Sequence, residues 1–458
     1  MWGHETSLGT RKLWLLAIAA TCLLLPAVAS AKQPVGLDRD RTFGHHGRAI
    51  AALDFGPPRF WYAVRVYSAI TQQGDVLVVG TNSDGVGAQM VRFLPDGKPD
   101  VAFGRNGILR IDAVDDSEFQ LTDMTVDSQG RIILAGNSGS PEHAVLMRLR
   151  PNGSPDAHFG GGDGVASPEF GIPQMRVSPI EPEPPRDSPV FVGSIDIDTD
   201  GRIIVAGSAA RFEGGYCLVI RSGMVGRLTS DGSVDTTFGS GGTVVYEPDV
   251  IDSVPGLALD RSGAPIIWGQ GENCRTPTKD WQITRLSPEG QADLTFGQEG
   301  HVWLAGGPDD IAVDRFGRTL FLEPDSVHRL LPSGRLDPHF GHNGGVALRL
   351  NGKWSGFHSL AVTPNGGVLA TGVQVHHHKP ATPQRRLVLA SLTAGGKPMQ
   401  GFGTSGIVKL RSGLRINAAG RQVMTEAKGR VIVVGTIRDP RLATGQGIVL
   451  YRFDPGGR

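Results

Sequence analysis

The chain has 458 residues, and its 45 Lys plus Arg balance its 45 Asp plus Glu to give a formal net charge of zero. A near-neutral chain without a basic run lacks the electrostatic footprint that binding to nucleic acid or anionic lipid requires. Glycine is abundant, at 65 residues, while only 7% of residues are aromatic, a composition typical of many turns between short strands.

The first predicted element is a secretory signal peptide over residues 1–31. Arg11 and Lys12 precede the apolar stretch LWLLAIAATCLLL (13–25), which is too short for a comfortable membrane span, and the small residues Ala29 and Ala31 form a cleavage site. We therefore expect export to the periplasm or the extracellular space, with 32–458 as a single mature domain. No later stretch approaches about 20 apolar residues, so no membrane span is predicted.

Beyond the signal peptide, one phrase recurs seven times. Two of its copies are SVDTTFGSGGTV (233–244) and QADLTFGQEGHV (291–302), in which an Asp stands three residues before a Phe-Gly pair. The Phe-Gly pairs begin at Phe43, Phe103, Phe159, Phe238, Phe296, Phe340 and Phe402. Self-similarity at a period near 60 residues predicts a repeat architecture.

Each repeat contains four apolar runs of strand length. They are separated by turns such as those in DIDTDGRIIVAG (196–207) and GRLTSDG (226–232), where Gly and Asp supply the backbone conformations that tight turns need. No segment keeps a 3.6-residue apolar period over a dozen residues, so no substantial helix is predicted. Four antiparallel strands in each of seven repeats predict an all-β, seven-bladed β-propeller.

The two ends of the sequence each carry part of a repeat. The last residues are YRFDPGGR (451–458), and GLDRDRTFGHHGRAIAALDF (36–55) contains the piece that would follow them. We therefore predict that an N-terminal strand near 47–53 becomes the outermost strand of the blade built from 420–453. This pairing would close the ring and leave no open sheet edge.

The combined pattern RLxPDGxxDxxFGxxG…DxxGRIIVAG resembles the delta-60 repeat family of bacterial exported proteins, over nearly all of 37–458. Its strand rhythm is also similar to that of NHL-type propellers. The Asp occurs in six of the seven phrases, and Met399 replaces it in the seventh. The six are Asp40, Asp100, Asp156, Asp235, Asp293 and Asp337. The resemblance implies an exported propeller and no particular reaction.

Residues that recur in every blade cannot converge on one substrate, so we interpret them as scaffold. The Asp of the phrase is expected to accept backbone N–H bonds in its loop, and the Phe to pack between neighbouring blades. A Ca²⁺ ion in each loop is the alternative, although Ca²⁺ takes six to eight oxygens and the loop offers one carboxylate. Function is expected where the repeats differ.

One candidate ligand site is the mouth of the central tunnel. The position seven residues before the turn glycine of each innermost strand is mostly polar, and Asp123 and Asp310 face each other there from blades two and five. The candidate ligand-binding residues are Tyr67, Asp123, Ser194, Asp310, His358, Ser359, Arg421 and Gln422. We interpret them as a water-filled polar channel; the alternative is a metal-dependent hydrolase or lactonase with Ca²⁺ at the mouth.

The second candidate is the face that carries the variable loops. The predicted partner-binding residues there are Trp61, Tyr62, Trp281, Trp354 and His377. Cys217 and Cys274 occupy the same loop class in adjacent blades, so a disulfide between them is geometrically plausible. Residues 376–378 are all His, but no metal site is assigned to this Pro-flanked loop, since no carboxylate is near in sequence.

The sequence contains no Walker loop, CxxC pair, HExxH motif or Ser-His-Asp order, so no catalytic residue is assigned. We predict a monomeric exported scaffold that binds a protein or glycan partner through its variable face. No cofactor is expected, except Ca²⁺ under the hydrolase alternative, which stays open.

Overall fold

The computed structural model describes fourteen stretches of the chain. They are 37–55, 64–81, 87–111, 113–114, 117–139, 143–172, 189–212, 219–247, 250–273, 276–349, 355–376, 384–410, 417–426 and 428–455. The predicted signal peptide lies outside them, as do Trp61, Tyr62, Trp354, His377, Cys217 and Cys274. The regular elements within them are β-strands, and no helix there is long and apolar enough to cross a membrane.

The described strands form seven antiparallel sheets, and each sheet is one blade. The chain begins with β1 (Asp38–Arg39) and β2 (Arg48–Ala52). Blade one contains β3 (Val66–Ile70), β4 (Val76–Gly80), β5 (Ala88–Phe93) and β6 (Ile108–Ile111). Blade two contains β7 (Ala113–Val114), β8 (Ser117–Val126), β9 (Ile132–Ser138), β10 (His143–Leu149) and β11 (Val165–Ala166). Blade three contains β12 (Val190–Ile197), β13 (Ile203–Phe212), β14 (Val219–Leu228) and β15 (Thr243–Val245).

The remaining four blades follow in chain order. Blade four contains β16 (Ser253–Leu259), β17 (Pro265–Asn273), β18 (Thr276–Arg285) and β19 (His301–Leu304). Blade five contains β20 (Asp310–Val313), β21 (Thr319–Glu323), β22 (Ser326–Leu330) and β23 (Gly345–Ala347). Blade six contains β24 (Ser355–Val362), β25 (Val368–His376), β26 (Gln384–Leu392) and β27 (Ile407–Leu410). Blade seven contains β28 (Asn417–Thr425), β29 (Val431–Arg438) and β30 (Gln446–Asp454).

The ring closes through the N-terminal strands, which confirms the prediction. β2 pairs antiparallel with β30, with Arg48 opposite Tyr451 and Ala52 opposite Gly447, and β1 extends the same sheet. Each innermost strand contacts the innermost strand of the next blade, and β28 contacts β3. The predicted seven-bladed propeller is therefore a complete ring.

The hydrophobic core is divided among the interfaces between blades. The second strand of blade one, Val76–Gly80, is apolar and buried along its whole length, because neighbouring blades cover both of its faces. The Phe of the repeated phrase is buried in every blade, as predicted, and Phe238 packs near the turn glycine Gly290 of the next blade. The following Gly239 has a φ of 54°, and a Cβ there would lie 2.2 Å from the Thr243 carbonyl oxygen. The position therefore requires glycine.

A buried arginine also connects neighbouring blades. In blade three, Arg227 Nε donates to Asp235 Oδ2 at 2.7 Å, and its guanidinium lies over the Phe238 ring at 4.9 Å. Arg227 Nη1 donates to the Pro288 carbonyl of blade four at 2.5 Å. Asp235 Oδ1 accepts the Thr237 N–H at 3.1 Å, the backbone bond predicted for this Asp. The same ion pair recurs in Arg92–Asp100, Arg148–Asp156, Arg285–Asp293, Arg329–Asp337 and Arg452–Asp40.

Blade six departs from this pattern at both positions. Ser391 stands where the other blades have the arginine, and Met399 stands where they have the aspartate. Loss of both partners leaves no unpaired buried charge, whereas loss of one would. The Arg452–Asp40 pair joins residues 412 positions apart and therefore reinforces the closure of the ring.

Candidate functional site

The residues seven positions before each turn glycine, which we call the column, lie on the innermost strands, along the wall of the tunnel. In blades two, three, six and seven the innermost strand starts four to six residues before its column residue. In blade five the strand starts at Asp310 itself, and in blade one Tyr67 is the second strand residue. Most of the column therefore lies at mid-height in the tunnel, and only blades one and five place it near a strand start.

The column residues join neighbouring blades by hydrogen bonds. Asp123 of blade two accepts bonds from Ser194 Oγ at 2.7 Å and from the Ile195 N–H at 2.9 Å, both in blade three. Asp310 of blade five accepts the Leu360 N–H of blade six at 2.7 Å. Both aspartates also accept the N–H of the following residue at 2.8 Å. Each carboxylate is therefore a joint between two blades.

The same arrangement continues around the ring with neutral side chains. Ser359 Oγ of blade six accepts the Val423 N–H of blade seven at 3.2 Å. Gln422 Oε1 of blade seven accepts a bond from Ser68 Oγ of blade one at 2.6 Å. We call this set of contacts, from Asp123, Asp310, Ser359 and Gln422, the tunnel belt.

A β-bulge precedes most column residues and determines where they point. The register between the first and second strands shifts by one residue just before the column residues of blades two, three, six and seven. A bulge bends its strand and re-aims the side chain that follows. Periodicity alone does not reveal such a shift.

Blade four has glycine in the column for a steric reason. Gly256 pairs with Trp268, and a Cβ on Gly256 would lie 1.8 Å from the Trp268 ring. In blade three the corresponding pair is Ser194 with Ala206. The large residue on β17 therefore occupies the space that the column side chain fills elsewhere.

The tunnel carboxylates are held in a low-dielectric environment. Burial raises the pKa of Asp123 to about 6 and that of Asp310 to about 7, and the charge of Asp123 adds to the rise at Asp310. Burial, together with the same Asp123 charge, raises the pKa of Asp196 to about 6. Burial and Asp123 also raise the pKa of the Tyr67 hydroxyl to about 12. These groups interact through the tunnel interior.

His358 and Arg421 occupy the bulge positions of blades six and seven. Arg421 Nε donates to Thr436 Oγ1 at 3.3 Å, and burial together with the Arg385 charge lowers the pKa of Arg421 to about 10. Desolvation and the Arg421 charge lower the pKa of His358, which favours its neutral form. The structure thus places the cations Arg385 and Arg421 on blades six and seven, and Asp123 and Asp196 on blades two and three.

The belt side chains hold the ring together and leave few free polar groups. Asp123 and Asp310 each use both carboxylate oxygens to accept N–H bonds. Across the described stretches, no three His, Cys, Asp or Glu side chains form a group able to hold a metal ion. The geometry supports an interblade structural role for these residues.

On the variable face, the hairpins of the blades rise to different heights. In blades four and six, the second strand ends ten residues after the turn glycine that precedes it, at Asn273 and His376. In blade five it reaches six residues, to Glu323. At about 3.4 Å per residue, blades four and six rise about 14 Å above blade five. We call the space between them the notch; its floor is the hairpin tip 323–326.

The floor of the notch carries a hydrogen-bonded polar group. Ser326 Oγ donates to Glu323 Oε2 at 2.8 Å and lies 3.0 Å from His328 Nε2. Glu323 Oε2 lies 3.2 Å from the same His328 nitrogen. A nucleophilic triad needs the carboxylate on the other ring nitrogen, so this group is not one.

Trp281 is the predicted partner-binding residue that the structure describes, and it lies beside the notch. It is half-buried, and its ring packs against Gly307, while Glu323 lies beside Gly306. An aromatic face and a polar floor therefore flank the same loop segment.

Sequence reasoning missed Asp196 and the Glu323, Ser326 and His328 group. Asp196 lies two residues after the column residue of blade three, so the alternation of the strand could have revealed it. Finding the notch group required knowing that the second strand of blade five ends at Glu323 and is followed by only Pro324 and Asp325 before Ser326. The interblade arginine was also missed, although the sequence shows that blade six lacks both the arginine and the aspartate.

The sequence is similar to one known family in two segments. The family described as "Domain of unknown function (DUF5122) beta-propeller" matches residues 128–159 and 199–238. Each segment starts just after the turn Asp of an innermost strand and ends at the Phe of the repeated phrase. This similarity agrees with the propeller architecture. No curated protein matches the sequence.

Solved structures resemble the chain at low sequence identity and low TM-score. A protein of unknown function from Dyadobacter fermentans is 13% identical, with 93% of this chain and 98% of that chain covered and a TM-score of 0.37. A gluconolactonase from Xanthomonas campestris is 12% identical, with 74% and 95% covered and a TM-score of 0.35. An α-L-arabinofuranosidase from Fusarium graminearum is 9% identical, with 92% and 96% covered and a TM-score of 0.39. Likeness at this level says nothing about activity.

Proposed function

We propose that this chain is an exported, non-catalytic β-propeller scaffold that binds a protein or glycan partner through its variable face, at the notch. The observation that carries the proposal is the unequal height of the hairpins around blade five. Walls about 14 Å high on both sides let a partner bury more surface than a flat ring face does.

The chemistry of the notch suits a polar partner with some apolar surface. Half-buried Trp281 offers an aromatic face to a sugar ring or an apolar side chain. Glu323 and Ser326, with the exposed Asp325, offer hydrogen-bonding groups on the floor. The tunnel belt supports the non-catalytic interpretation, because its carboxylates are occupied by backbone donors.

The test is binding of the mature protein to a glycan array and to isolated envelope proteins. Trp281→Ala and Glu323→Gln should each weaken binding about tenfold, which corresponds to about 1.4 kcal/mol. Trp303→Ala is the matched control, because Trp303 is 53% exposed on the outer strand of the same blade. Binding that the two notch variants leave unchanged, or that Trp303→Ala weakens equally, would show that the notch is not the site.

The second candidate is a metal-dependent hydrolase or lactonase with Ca²⁺ in the tunnel. It is favoured by Asp123 and Asp310, whose raised pKa values mark a desolvated acidic interior. Elemental analysis of the purified protein and thermal melting with Ca²⁺ or a chelator test it. A stoichiometric metal and a chelator-sensitive melting temperature would support it. If the wild type contains no metal and its melting temperature does not respond to the chelator, this candidate is wrong.

Three further properties are proposed with the scaffold function. Export by the 1–31 signal peptide is tested by cell fractionation and by the N-terminal sequence of the mature protein. A Cys217–Cys274 disulfide is tested by peptide mapping without reductant. Membership of the delta-60 repeat family is supported by the seven Phe-Gly phrases and is tested by aligning each blade with repeats of that family.

A further inference from the structure

The tunnel has a second mouth, at the uniform face opposite the variable loops, and a cavity of about 440 Å³ lies at its edge. The innermost strands of blades four, five and six end there, and Leu259, Val313 and Val362 supply aliphatic side chains to the lining. The turns that follow these strands form the rim. This cavity is separate from the notch and from the tunnel belt.

Two adjacent blades place an arginine on the rim of this cavity. Arg261 and Arg315 each follow the turn Asp of their blade, where blades one, two, three and six have Gln72, Ser128, Thr199 and Pro364. Both arginines are exposed, and neither forms an ion pair within the described stretches. Two like charges therefore converge on one cavity without a direct counterion.

The carboxylates of the lining offset only part of these charges. Asp314 is paired with Arg318, with Nη2 and Oδ2 2.6 Å apart. Asp260 Oδ1 accepts the Ser262 and Ala264 N–H groups at 2.8 and 3.1 Å, so it is occupied by its own turn. Arg261 and Arg315 thus face a single unpaired carboxylate, Asp260, and the cavity keeps an excess of positive charge.

An aromatic side chain holds one of these arginines in position. The Arg315 guanidinium lies 4.6 Å from the centre of the Phe316 ring, and Arg318 lies 5.0 Å from the same ring. This contact accounts for a phenylalanine that is 55% exposed at the surface. A stacked guanidinium keeps its edge N–H donors free for a ligand. The contact with Phe316 therefore favours one placement of the Arg315 side chain.

We propose that this cavity binds an organic oxyanion, a carboxylate or phosphate carried on a short apolar body. Arg261 and Arg315 would hold the oxyanion by charge-assisted hydrogen bonds, since the guanidinium matches the geometry of both groups. Leu259, Val313 and Val362 would contact the apolar body. The corresponding turns of blades one to six have the same backbone hydrogen bonds, so the side chains distinguish this site.

Titration calorimetry of the full mature protein tests the site with three probes that share a hexyl chain: heptanoate, hexyl phosphate and hexyltrimethylammonium. Either anion should bind, and the cation should not. Arg261→Gln and Arg315→Gln should each weaken binding about tenfold, and the double variant should abolish it. Which anion binds more tightly identifies the natural headgroup class.

Arg110→Gln is the control, because Arg110 is an exposed arginine on the outer strand of blade one. It should leave binding unchanged, and all variants should keep the wild-type melting temperature. The proposal is wrong if neither anion binds, if the cation binds as well as the anions, or if the arginine variants bind like the wild type. Loss of binding at the notch would not affect this result.

Discussion

Breaking the buried Arg227–Asp235 pair in blade three should show that the interblade arginine and the repeated aspartate form one unit. Arg227 is 3% exposed, and it bonds Asp235, Thr237 and the carbonyl of Pro288 in the next blade. Burial opposes ionisation of Asp235, but bonds from Thr237 and Arg227 outweigh it and keep the pKa of the carboxyl below its usual range. Removing either partner therefore leaves a buried charge without its counterion.

The size of the effect follows from this burial. Arg227→Ser should cost about 3–5 kcal/mol in the free energy of unfolding, and Asp235→Met a similar amount. The double variant Arg227→Ser/Asp235→Met reproduces the pair that blade six has, Ser391 and Met399. It removes both charges together, so it should cost less than the sum of the single variants by about 3 kcal/mol.

Guanidinium denaturation followed by tryptophan fluorescence measures the three variants and the wild type. A matched cycle at Lys98 and Asp96, an exposed ion pair at 2.9 Å, should show coupling of no more than about 1 kcal/mol. Additive effects at Arg227 and Asp235 would refute the argument, because they would mean that neither side chain depends on the other for its charge compensation.

Three further predictions concern the ring. Deleting 37–55 should lower the melting temperature sharply, because the deletion exposes the β30 edge and removes buried Phe43. Adding the 37–55 peptide should restore the melting temperature. An unchanged melting temperature after the deletion would contradict closure of the ring by this segment. Burial raises the pKa of Asp310 to about 7, so the stability that its protonated form contributes is complete below about pH 4 and is lost as the pH rises through 7. The melting temperature of Asp310→Asn should therefore fall less between pH 6 and 8 than that of the wild type. Parallel melting profiles would show that titration of Asp310 does not affect stability. Gly256→Ser should cost about 1–3 kcal/mol in the free energy of unfolding by clashing with Trp268. In chemical denaturation the same substitution should cost less in a Trp268→Ala background, and an equal cost in both backgrounds would show that the two side chains do not compete for space.

Much of the architecture was predictable because the repeat encodes it locally. Strand length, turn glycines and apolar runs recur at each blade, and they depend only on neighbours in the sequence. The Phe of the phrase and the N-terminal strand 48–52 could be assigned in the same way, since seven copies reveal which piece completes the last one. The polar character of the column at Asp123 and Asp310 was also visible from alignment of the repeats.

The partners of these side chains depended on contacts between blades. β-bulges shift the register just before Asp123 and Ser359, and packing against the next blade then decides which N–H each side chain meets. The notch likewise depends on the height of three hairpins at once, and the arginine-lined cavity depends on two turns 54 residues apart, at Arg261 and Arg315. Local patterns specify strands and turns, whereas distances between side chains of different blades arise only when the ring closes and its interfaces pack.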